Sequence, residues 1–269
     1  MNPKTQAIIA KVQVNIPFRM LVETHLDLFI KLGLNPEIGL DADALDHFSR
    51  KEFQEIAAAF QRQGRTITLH GPFTDLSPGS PDPEILAVTR RRLEQLSDLV
   101  PVFKPLTVVC HAGYDPHRYS YIREEWLAAA RTLWQWAGDR IRSAGARLML
   151  ENVYESEAEE LRPLFGDSAL PGIGFCFDAG HQTVFSKKTM AAWLEKLGPF
   201  LGQLHLHDNM GDRDAHLPMG KGCIDFPLLF RYLERNHLRP VITLEPHVEG
   251  DLWQSLAYLE NRWPGFPAE

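Results

Sequence analysis

Residues that bind divalent metals stand at the ends of short apolar runs in this sequence, one run after another. Six consecutive runs end in such residues: His70, His111, Glu151, Asp178, His205 with His207, and Glu245. Three more follow close behind: His181, Asp214 and His216. A mixture of imidazole and carboxylate groups suits zinc, manganese or iron better than calcium or magnesium. Carboxylates also act as general acids and bases, so the pattern predicts metal-assisted or proton-transfer chemistry.

A single histidine or glutamate at the end of a strand is more often a hydrogen-bonded polar group than a metal ligand. A converging set is different, because burying several unpaired carboxylates and imidazoles in one pocket would cost several kcal/mol each. Basic side chains would relieve that cost, but no apolar run ends in Lys or Arg. The imbalance predicts a divalent metal site.

The apolar runs are short and rich in Val, Ile, Leu or Phe, which is typical of buried parallel strands. Eight strands are predicted: Ile8–Val14, Pro36–Leu40, Thr66–His70, Leu106–His111, Arg147–Glu151, Ile173–Asp178, Gly202–His207 and Val241–Glu245. Helical periodicity between them predicts eight helices: Arg19–Leu32, Lys51–Gln63, Pro83–Val100, Tyr121–Ser143, Ser156–Phe165, Lys187–Leu197, Pro227–Asn236 and Asp251–Glu260. The second strand has the weakest pattern, since Pro36 and Gly39 both disfavour strand interiors.

Eight strand–helix pairs with no break in composition predict an α/β fold, a single-domain (β/α)8 TIM barrel over residues 1–269. An open doubly wound sheet would need a Gly-rich phosphate-binding turn, and neither GxGxxG nor GxxxxGK[ST] occurs. The C-terminal ends of TIM-barrel strands form the active site. Because side chains at i and i+2 share one face of a strand, His205 and His207 are expected to point into the barrel together.

The composition narrows the class of protein further. The chain has 269 residues, of which 44% are apolar, and a net charge of −7, which argues against a partner held mainly through nucleic-acid phosphates. Its three cysteines are scattered without CxxC spacing, and the N-terminal residues lack a signal-peptide pattern. No apolar run approaches the roughly 20 residues of a membrane span. These features predict a cytoplasmic protein with a small-molecule substrate and no membrane partner, and they leave the oligomeric state open.

The motifs around the ligand-type residues resemble those of the xylose isomerase-like TIM-barrel superfamily, and within it the endonuclease IV pattern. The segments are Leu-His70-Gly-Pro, Cys-His111-Ala-Gly, Leu-Glu151-Asn, Phe-Asp178-Ala-Gly-His181, His205-Leu-His-Asp, Asp214-Ala-His216 followed by Gly-Lys-Gly, and Leu-Glu245-Pro. They span the third to eighth strands in the family's order, and they are specific only as a set.

The resemblance implies three metal positions, so that one to three zinc, manganese or iron ions are expected per chain. The first would be held by His70, His111 and Glu151, with Glu151 bridging to the second. The other ligands of the second would be Asp178, His205 and Glu245. The third would be held by His181, Asp214 and His216.

A closer similarity is to bacterial cobamide-remodelling phosphodiesterases, on segments such as the stretch from His70 to Ser80, which suggests a cobamide as one substrate. The chain departs from endonuclease IV at Lys221, where that enzyme has an acidic residue. It also lacks an evident basic, aromatic-studded surface for opening a duplex, which argues against DNA repair.

Three functions remain open from the sequence. The leading hypothesis is a hydrolase that cleaves a phosphodiester of a small molecule through a multinuclear metal-activated hydroxide, with His207 orienting or neutralising oxygen atoms. The alternative is a single-metal sugar or sugar-phosphate isomerase or epimerase, in which Glu151 and Glu245 form the acid–base pair. A non-catalytic binding protein on a barrel scaffold is the third, and the ordered ligand set speaks against it.

Several residues near the strand ends are candidates for binding substrate: Lys221, Asn15, Arg19, His247 and Tyr114. Ordinary surface or capping roles are equally open for Asn15, Arg19 and Lys221. The Pro-rich stretch Ser77–Pro83 follows the third strand, and it is either a stiff lid over the barrel mouth or a surface connection.

Overall fold

A computed structural model describes residues 2–166 and 172–262 of the chain. Eight parallel strands pair in sequence order and close into a barrel when the last pairs with the first. The strands are β1 Val12–Pro17, β2 Asn35–Gly39, β3 Thr68–His70, β4 Thr107–His111, β5 Arg147–Glu151, β6 Gly174–Asp178, β7 Leu201–Leu206 and β8 Val241–Leu244. The predicted TIM barrel is confirmed.

Helices occupy the intervals between strands. They are α1 Pro3–Ile9, α2 Phe18–Met20, α3 Leu26–Leu32, α4 Ala42–His47, α5 Arg50–Arg62, α6 Pro83–Phe103, α7 Pro116–Tyr119, α8 Arg123–Ser143, α9 Ala158–Leu161, α10 Ala179–Phe185, α11 Met190–Leu197, α12 Phe226–Arg235 and α13 Glu249–Arg262. One π-helical turn, Leu21–His25, joins α2 to α3. In the parts of the chain that are described, no helix combines the length and apolar character needed to cross a membrane.

The first predicted strand is wrong in its N-terminal half. Ile8 and Ile9 are buried on α1, and β1 begins only at Val12. The side chain of Asn2 accepts the N–H of Thr5 at 2.8 Å, and Pro3 occupies the first helical position. These two features start a helix at the point where an apolar run by itself favours a strand.

The largest buried side chains pack between the barrel and its helices, and include Trp126, Trp193, Phe60 and Phe175. Inside the barrel, Val109, Met149 and Cys176 form a separate small cluster. Each stands two residues before a ligand-type residue on the same strand, so strand alternation puts this cluster directly beneath the mouth. The cluster forms an apolar floor for the candidate site.

The Pro-rich stretch is packed against the barrel. The Ser77 hydroxyl lies 2.8 Å from the Tyr119 hydroxyl, and the Ser77 N–H donates to Thr89 Oγ1 at 3.1 Å. A Cβ at Gly79 would overlap the Trp126 ring, so only glycine allows this close approach. The structure therefore shows the stretch as part of the wall beside the mouth.

Candidate metal centre at the barrel mouth

The predicted ligand residues converge on one end of the barrel. A cavity of about 430 Å³ opens there. Seven of the predicted ligands line it: His70, His111, Glu151, His181, Asp214, His216 and Glu245. Asp178 and His205 lie fully buried beside them. The strand ends thus bring all nine residues to one region.

The first group of donors joins β3, β4 and β5. Glu151 Oε2 lies 3.1 Å from His70 Nε2 and 3.6 Å from His111 Nε2. The Nδ1 atom of His70 lies 2.9 Å from the carbonyl oxygen of Gly71, which leaves Nε2 to face the carboxylate. One donor atom from each of these three residues falls within 4.8 Å of the others, a spacing that a single ion would fit.

The second group lies deeper and uses the other oxygen of Glu151. His205 Nδ1 is 3.2 Å from Glu151 Oε1 and 3.1 Å from Glu245 Oε1. Asp178 Oδ2 is 4.0 Å from the same nitrogen. Glu151 therefore stands between the first and second groups, with one oxygen turned to each.

The third group lies over β6 and the loop after β7. Asp214 Oδ2 is 3.2 Å from His181 Nε2 and 3.1 Å from His216 Nε2. His207 belongs to this group too, since its Nδ1 atom is 3.6 Å from Asp214 Oδ1. The backbone of His216 has φ of +46°, a conformation that is strained for a residue with a side chain and that is often found at functional sites.

Three imidazole rings stack above this group. The ring of His216 lies 3.8 Å from that of His207 and 4.0 Å from that of His247, with interplanar angles of 6° and 13°. Because His207 Nε2 also lies 3.1 Å from Asp178 Oδ2, this stack is joined to the second group. His207 is thus placed both as a donor and as a support for Asp178.

A buried carboxylate outside the nine predicted ligands lies behind His205. Glu37 Oε1 is 3.0 Å from His205 Nε2. Its Oε2 accepts hydrogen bonds from Thr68 and Thr243 at 2.9 and 3.0 Å, and from Gln203. Such partners hold a ligating histidine in position and tune its basicity. The weak strand pattern around Pro36 and Gly39 hid this role.

The loop after β7 is organised by a second unassigned carboxylate. Asp208 is fully buried, and it accepts four backbone N–H groups at 2.9 to 3.2 Å: those of Asn209, Gly220, Gly222 and Ile224. This loop carries Asp214 and His216, so Asp208 fixes the backbone that presents them. In the sequence, this role of Asp208 was indicated by the tripeptide Leu-His-Asp at 206–208.

Charge balance in the site depends on carboxylate–histidine pairing. Burial acts to raise the pKa of Glu151, but His205 and His111 outweigh it and hold that pKa well below its ordinary value. Burial acts to lower the pKa of His181, but Asp178 and Asp214 raise it well above the usual range. Burial lowers the pKa of His111 to about 3, so this ring is neutral and able to donate a lone pair to a cation.

Several donor atoms of the site are better placed to bind a cation than to form hydrogen bonds with one another. Nδ1 of His205, Nδ1 of His207 and Oδ1 of Asp214 are buried without a hydrogen-bond partner. Oppositely charged atoms lie 3.1 to 3.6 Å away, yet not in directions that make hydrogen bonds. Buried polar atoms normally have partners. Donors that instead point towards shared positions are suited to divalent metal ions.

The structure places only some of the candidate substrate-binding residues at the cavity. Asn15 and His247 line the cavity, and Tyr114 lines a neighbouring one. Arg19 is half exposed in ion pairs with Asp43 and Glu23, and it is not among the residues that line the cavity. Lys221 is exposed on the loop after β7 and is not part of the cavity wall.

Comparison with known proteins places the chain in a family. The sequence profile described as "Xylose isomerase-like TIM barrel" matches residues 36–262. The chain belongs to this family. In sequence, the uncharacterized protein MJ1311 of Methanocaldococcus jannaschii is 26% identical over 206 residues, which are 74% of this chain and 70% of that protein.

Solved structures of xylose isomerase-like barrels superpose over nearly the whole chain. Protein TTHB071 from Thermus thermophilus, determined after soaking with ZnCl2, is 31% identical with a TM-score of 0.80, covering 96% of this chain and 100% of that one. A D-tagatose 3-epimerase-like protein is 24% identical with a TM-score of 0.80, covering 94% and 97%. A D-psicose 3-epimerase is 16% identical with a TM-score of 0.77, covering 95% and 100%. At these last two identities, the likeness shows the fold alone.

Proposed function

We propose that this protein is a divalent-metal-dependent hydrolase that cleaves a phosphodiester of a small molecule. The observation that carries the proposal is the number and grouping of donors. Nine predicted ligands lie in three adjoining groups, and the first and second groups share Glu151. A single zinc or manganese ion takes about four to six donors. The set is therefore larger than one ion requires, and adjoining ions are typical of phosphoester hydrolysis.

The residues of the chain have separate tasks in this reading. Divalent ions bound here would supply activated water and neutralise charge on phosphoryl oxygens. Glu151 would hold two positions at a fixed separation, because each of its oxygens faces a different group. His207 supports Asp178 from one side and contacts Asp214 on the other. His247, stacked on His216 at the cavity wall, is placed to contact substrate oxygens.

The cavity favours a small substrate. Its volume of about 430 Å³ falls in the range of small-molecule sites. The net charge of −7 gives no general attraction to nucleic acid, so a polymer would have to be held by local contacts alone. No comparison bears on a cobamide, and the proposal does not include one.

Turnover of bis(p-nitrophenyl) phosphate tests the hydrolase. Protein supplied with zinc or manganese is expected to release p-nitrophenolate. Glu151→Gln is expected to lower kcat by at least a hundredfold, because the shared residue loses its negative charge and one of its two oxygens becomes an amide N–H₂ that cannot bind a cation. The matched control is Glu55→Gln, an exposed carboxylate on α5 that is not among the residues lining the cavity. A metal-loaded sample without turnover above the metal blank would overturn the proposal.

A second candidate is a single-metal sugar isomerase or epimerase. Glu151 and Glu245 both approach His205 Nδ1, at 3.2 and 3.1 Å, so two carboxylates flank one centre as proton shuttling at a sugar carbon would require. The names of the compared epimerase structures favour this candidate over the hydrolase. Exchange of substrate hydrogen with D2O in D-fructose or D-psicose, followed by NMR, would detect it, and a hydrolase predicts no exchange.

A further inference from the structure

Two strongly exposed aromatic side chains line the cavity at the barrel mouth. Phe73 and Tyr154 are 53% and 51% exposed, and both belong to its wall. They stand on the loops after β3 and β5, on either side of the strand that ends in His111. Single exposed apolar residues are common on protein surfaces, but a group of them at one cavity indicates a binding site.

The Phe73 ring lies against a candidate metal ligand. It is tilted by 26° from the plane of His111, with the ring centroids 4.7 Å apart, so His111 covers one of its faces. The ring of His70 meets Phe73 nearly edge-on, at 5.7 Å. Because Phe73 is still half exposed, the face turned away from His111 is left open. An open aromatic face beside a metal ligand offers a stacking surface to a flat group.

A second pair of aromatic rings lies beside the third group of donors. Tyr154 meets Phe185 at 5.1 Å with an interplanar angle of 71°, and both residues line the cavity. Phe185 lies in turn 6.1 Å from the ring of His181. The candidate ligands His111 and His181 therefore each have an aromatic ring at their side. An apolar group next to the reacting phosphate would find aromatic surface there.

The charges of the cavity wall limit what else the substrate carries. Among the described residues that line this cavity there is no Lys or Arg. The only acidic residues in the lining are four carboxylates: Asp41, Glu151, Asp214 and Glu245. A second anionic group on the substrate would thus meet no basic Lys or Arg side chain, and burying an unpaired charge is costly. The wall favours a substrate whose remaining part is uncharged.

We propose that the mouth cavity takes a phosphodiester in which one ester group is an uncharged aromatic ring, stacked on Phe73 and packed against Tyr154. Phe73 and Tyr154 are then specificity-determining residues. The inference rests on the proposed function for the statement that the ring belongs to a phosphodiester. The contact between an aromatic ligand and these two residues can be measured whichever reaction the metal centre carries out.

Three hydroxamates that differ in one group test this contact. Benzohydroxamate, cyclohexanecarbohydroxamate and acetohydroxamate share the same metal-binding oxygens, and each is titrated calorimetrically into the metal-loaded protein. We expect benzohydroxamate to bind roughly tenfold more tightly than acetohydroxamate, because its ring is buried, and roughly threefold more tightly than the non-aromatic cyclohexane compound. Failure of benzohydroxamate to bind, or an affinity no higher than that of either other compound, would overturn the inference.

Substitution of the two rings locates the contact. Phe73→Leu and Tyr154→Leu keep an apolar side chain but remove the aromatic face, so each is expected to weaken binding of benzohydroxamate by roughly threefold or more. Binding of acetohydroxamate is expected to stay near the wild-type value. The matched control is Tyr121→Leu, at a ring that is 81% exposed and lines no part of this cavity. Wild-type affinity for benzohydroxamate in either ring variant, or equal loss for both hydroxamates, would contradict the assignment.

The design separates the aromatic contact from damage to the metal centre and from the reaction itself. Phe73 touches His111, so the metal content of Phe73→Leu is measured as well, and a loss of metal there would show a structural role instead of a specificity role. Tyr154 is the independent arm, because its ring contact is with Phe185. The affinities are measured without turnover. Preference for the aromatic hydroxamate without cleavage of bis(p-nitrophenyl) phosphate would therefore refute only the hydrolase, and cleavage without that preference would refute only this inference.

Discussion

Glu37 is a buried carboxylate outside the predicted ligand set that lies beside a candidate ligand. It lies 3.0 Å from His205 and is held by three hydrogen-bonding side chains of the barrel interior. We expect Glu37→Gln to weaken metal binding by about 10- to 100-fold, as is usual when such a partner is removed. Competition with a chromophoric chelator measures this. Unchanged affinity in Glu37→Gln, with Glu55→Gln as control, would show that Glu37 does not support the site.

A single glycine limits the position of His207. A Cβ at Gly180 would overlap the His207 ring, so Gly180→Ala must displace that imidazole. We expect this variant to lose the ion of the third group, because His207 contacts Asp214 there. Elemental analysis per chain checks the loss. The matched control is Gly250→Ala, where an added Cβ meets no atom within 4 Å, and equal metal content in the two variants would be the contrary result.

The buried acid Glu155 links stability to pH. Its pKa of about 8 in the folded protein lies above the ordinary value of 4.5, so the folded chain holds one more proton between these pH values. Stability contributed by this acid is present below about pH 4.5 and is lost as pH rises through 8. The free energy of unfolding of Glu155→Gln, relative to that of wild type, is therefore expected to rise by a few kcal/mol between pH 5 and pH 9. One unit of pKa difference corresponds to about 1.36 kcal/mol.

Urea unfolding of both proteins at several pH values measures this difference. Glu55→Gln, at an exposed position, serves as the control. A difference between Glu155→Gln and wild type that does not change with pH would contradict the assignment of a neutral buried acid.

The ligand residues were predictable because each is a distinctive residue type at the end of an apolar run. Glu37 and Asp208 stood outside the predicted ligand set, because a carboxylate in a weak strand or a loop has no such signature. The role of Glu37 depends in addition on partners far along the chain, since it meets Gln203 and Thr243 across the barrel interior. Only the closed sheet brings these residues together.

The loop after β7 carries the candidate ligands Asp214 and His216, although it is neither a helix nor a strand. What holds its backbone in place therefore needs a separate test. Asp208 accepts four of its backbone N–H groups. Asp208→Asn would turn an amide N–H₂ towards donors that need an acceptor. We expect a loss of roughly 2 kcal/mol in the free energy of unfolding, in line with hydrogen bonds to charged groups, measured by urea denaturation.

Local order of the loop gives a second readout of the same substitution. Hydrogen exchange of Gly220 and Gly222 is expected to accelerate in Asp208→Asn, since both N–H groups lose their acceptor. Asp212→Asn, at an exposed position in the same loop, is the matched control. Exchange that stays as slow as in wild type would mean that other contacts hold the loop.

Strand positions were predicted well where a short buried apolar run ends in an acidic residue, as in β5 and β6. The first strand shows the limit of that pattern. Ile8 and Ile9 are apolar in either structure, and the helix α1 is decided by Asn2 and Pro3 before them. The short helices α4, α7 and α10 were missed because each has fewer than eight residues, too few for a helical period to show.

For the whole molecule, the alternation of eight strands and helices specified the barrel, and the barrel explains why residues from 37 to 245 meet at one mouth. The chemistry carried out there does not follow from the fold, since one barrel supports many reactions. The donor groups favour several ions, whereas a single-metal sugar isomerase or epimerase would need only one. The number of ions bound distinguishes these two readings.

Metal content per chain tests the central claim most directly. The full-length protein is purified without chelator, supplied with zinc or manganese, freed of excess ion by gel filtration, and measured by inductively coupled plasma mass spectrometry. The multinuclear site predicts two or three ions per chain, and one fewer in Asp214→Asn, which loses a donor shared by His181 and His216. A single ion per chain, unchanged in Asp214→Asn, would contradict it.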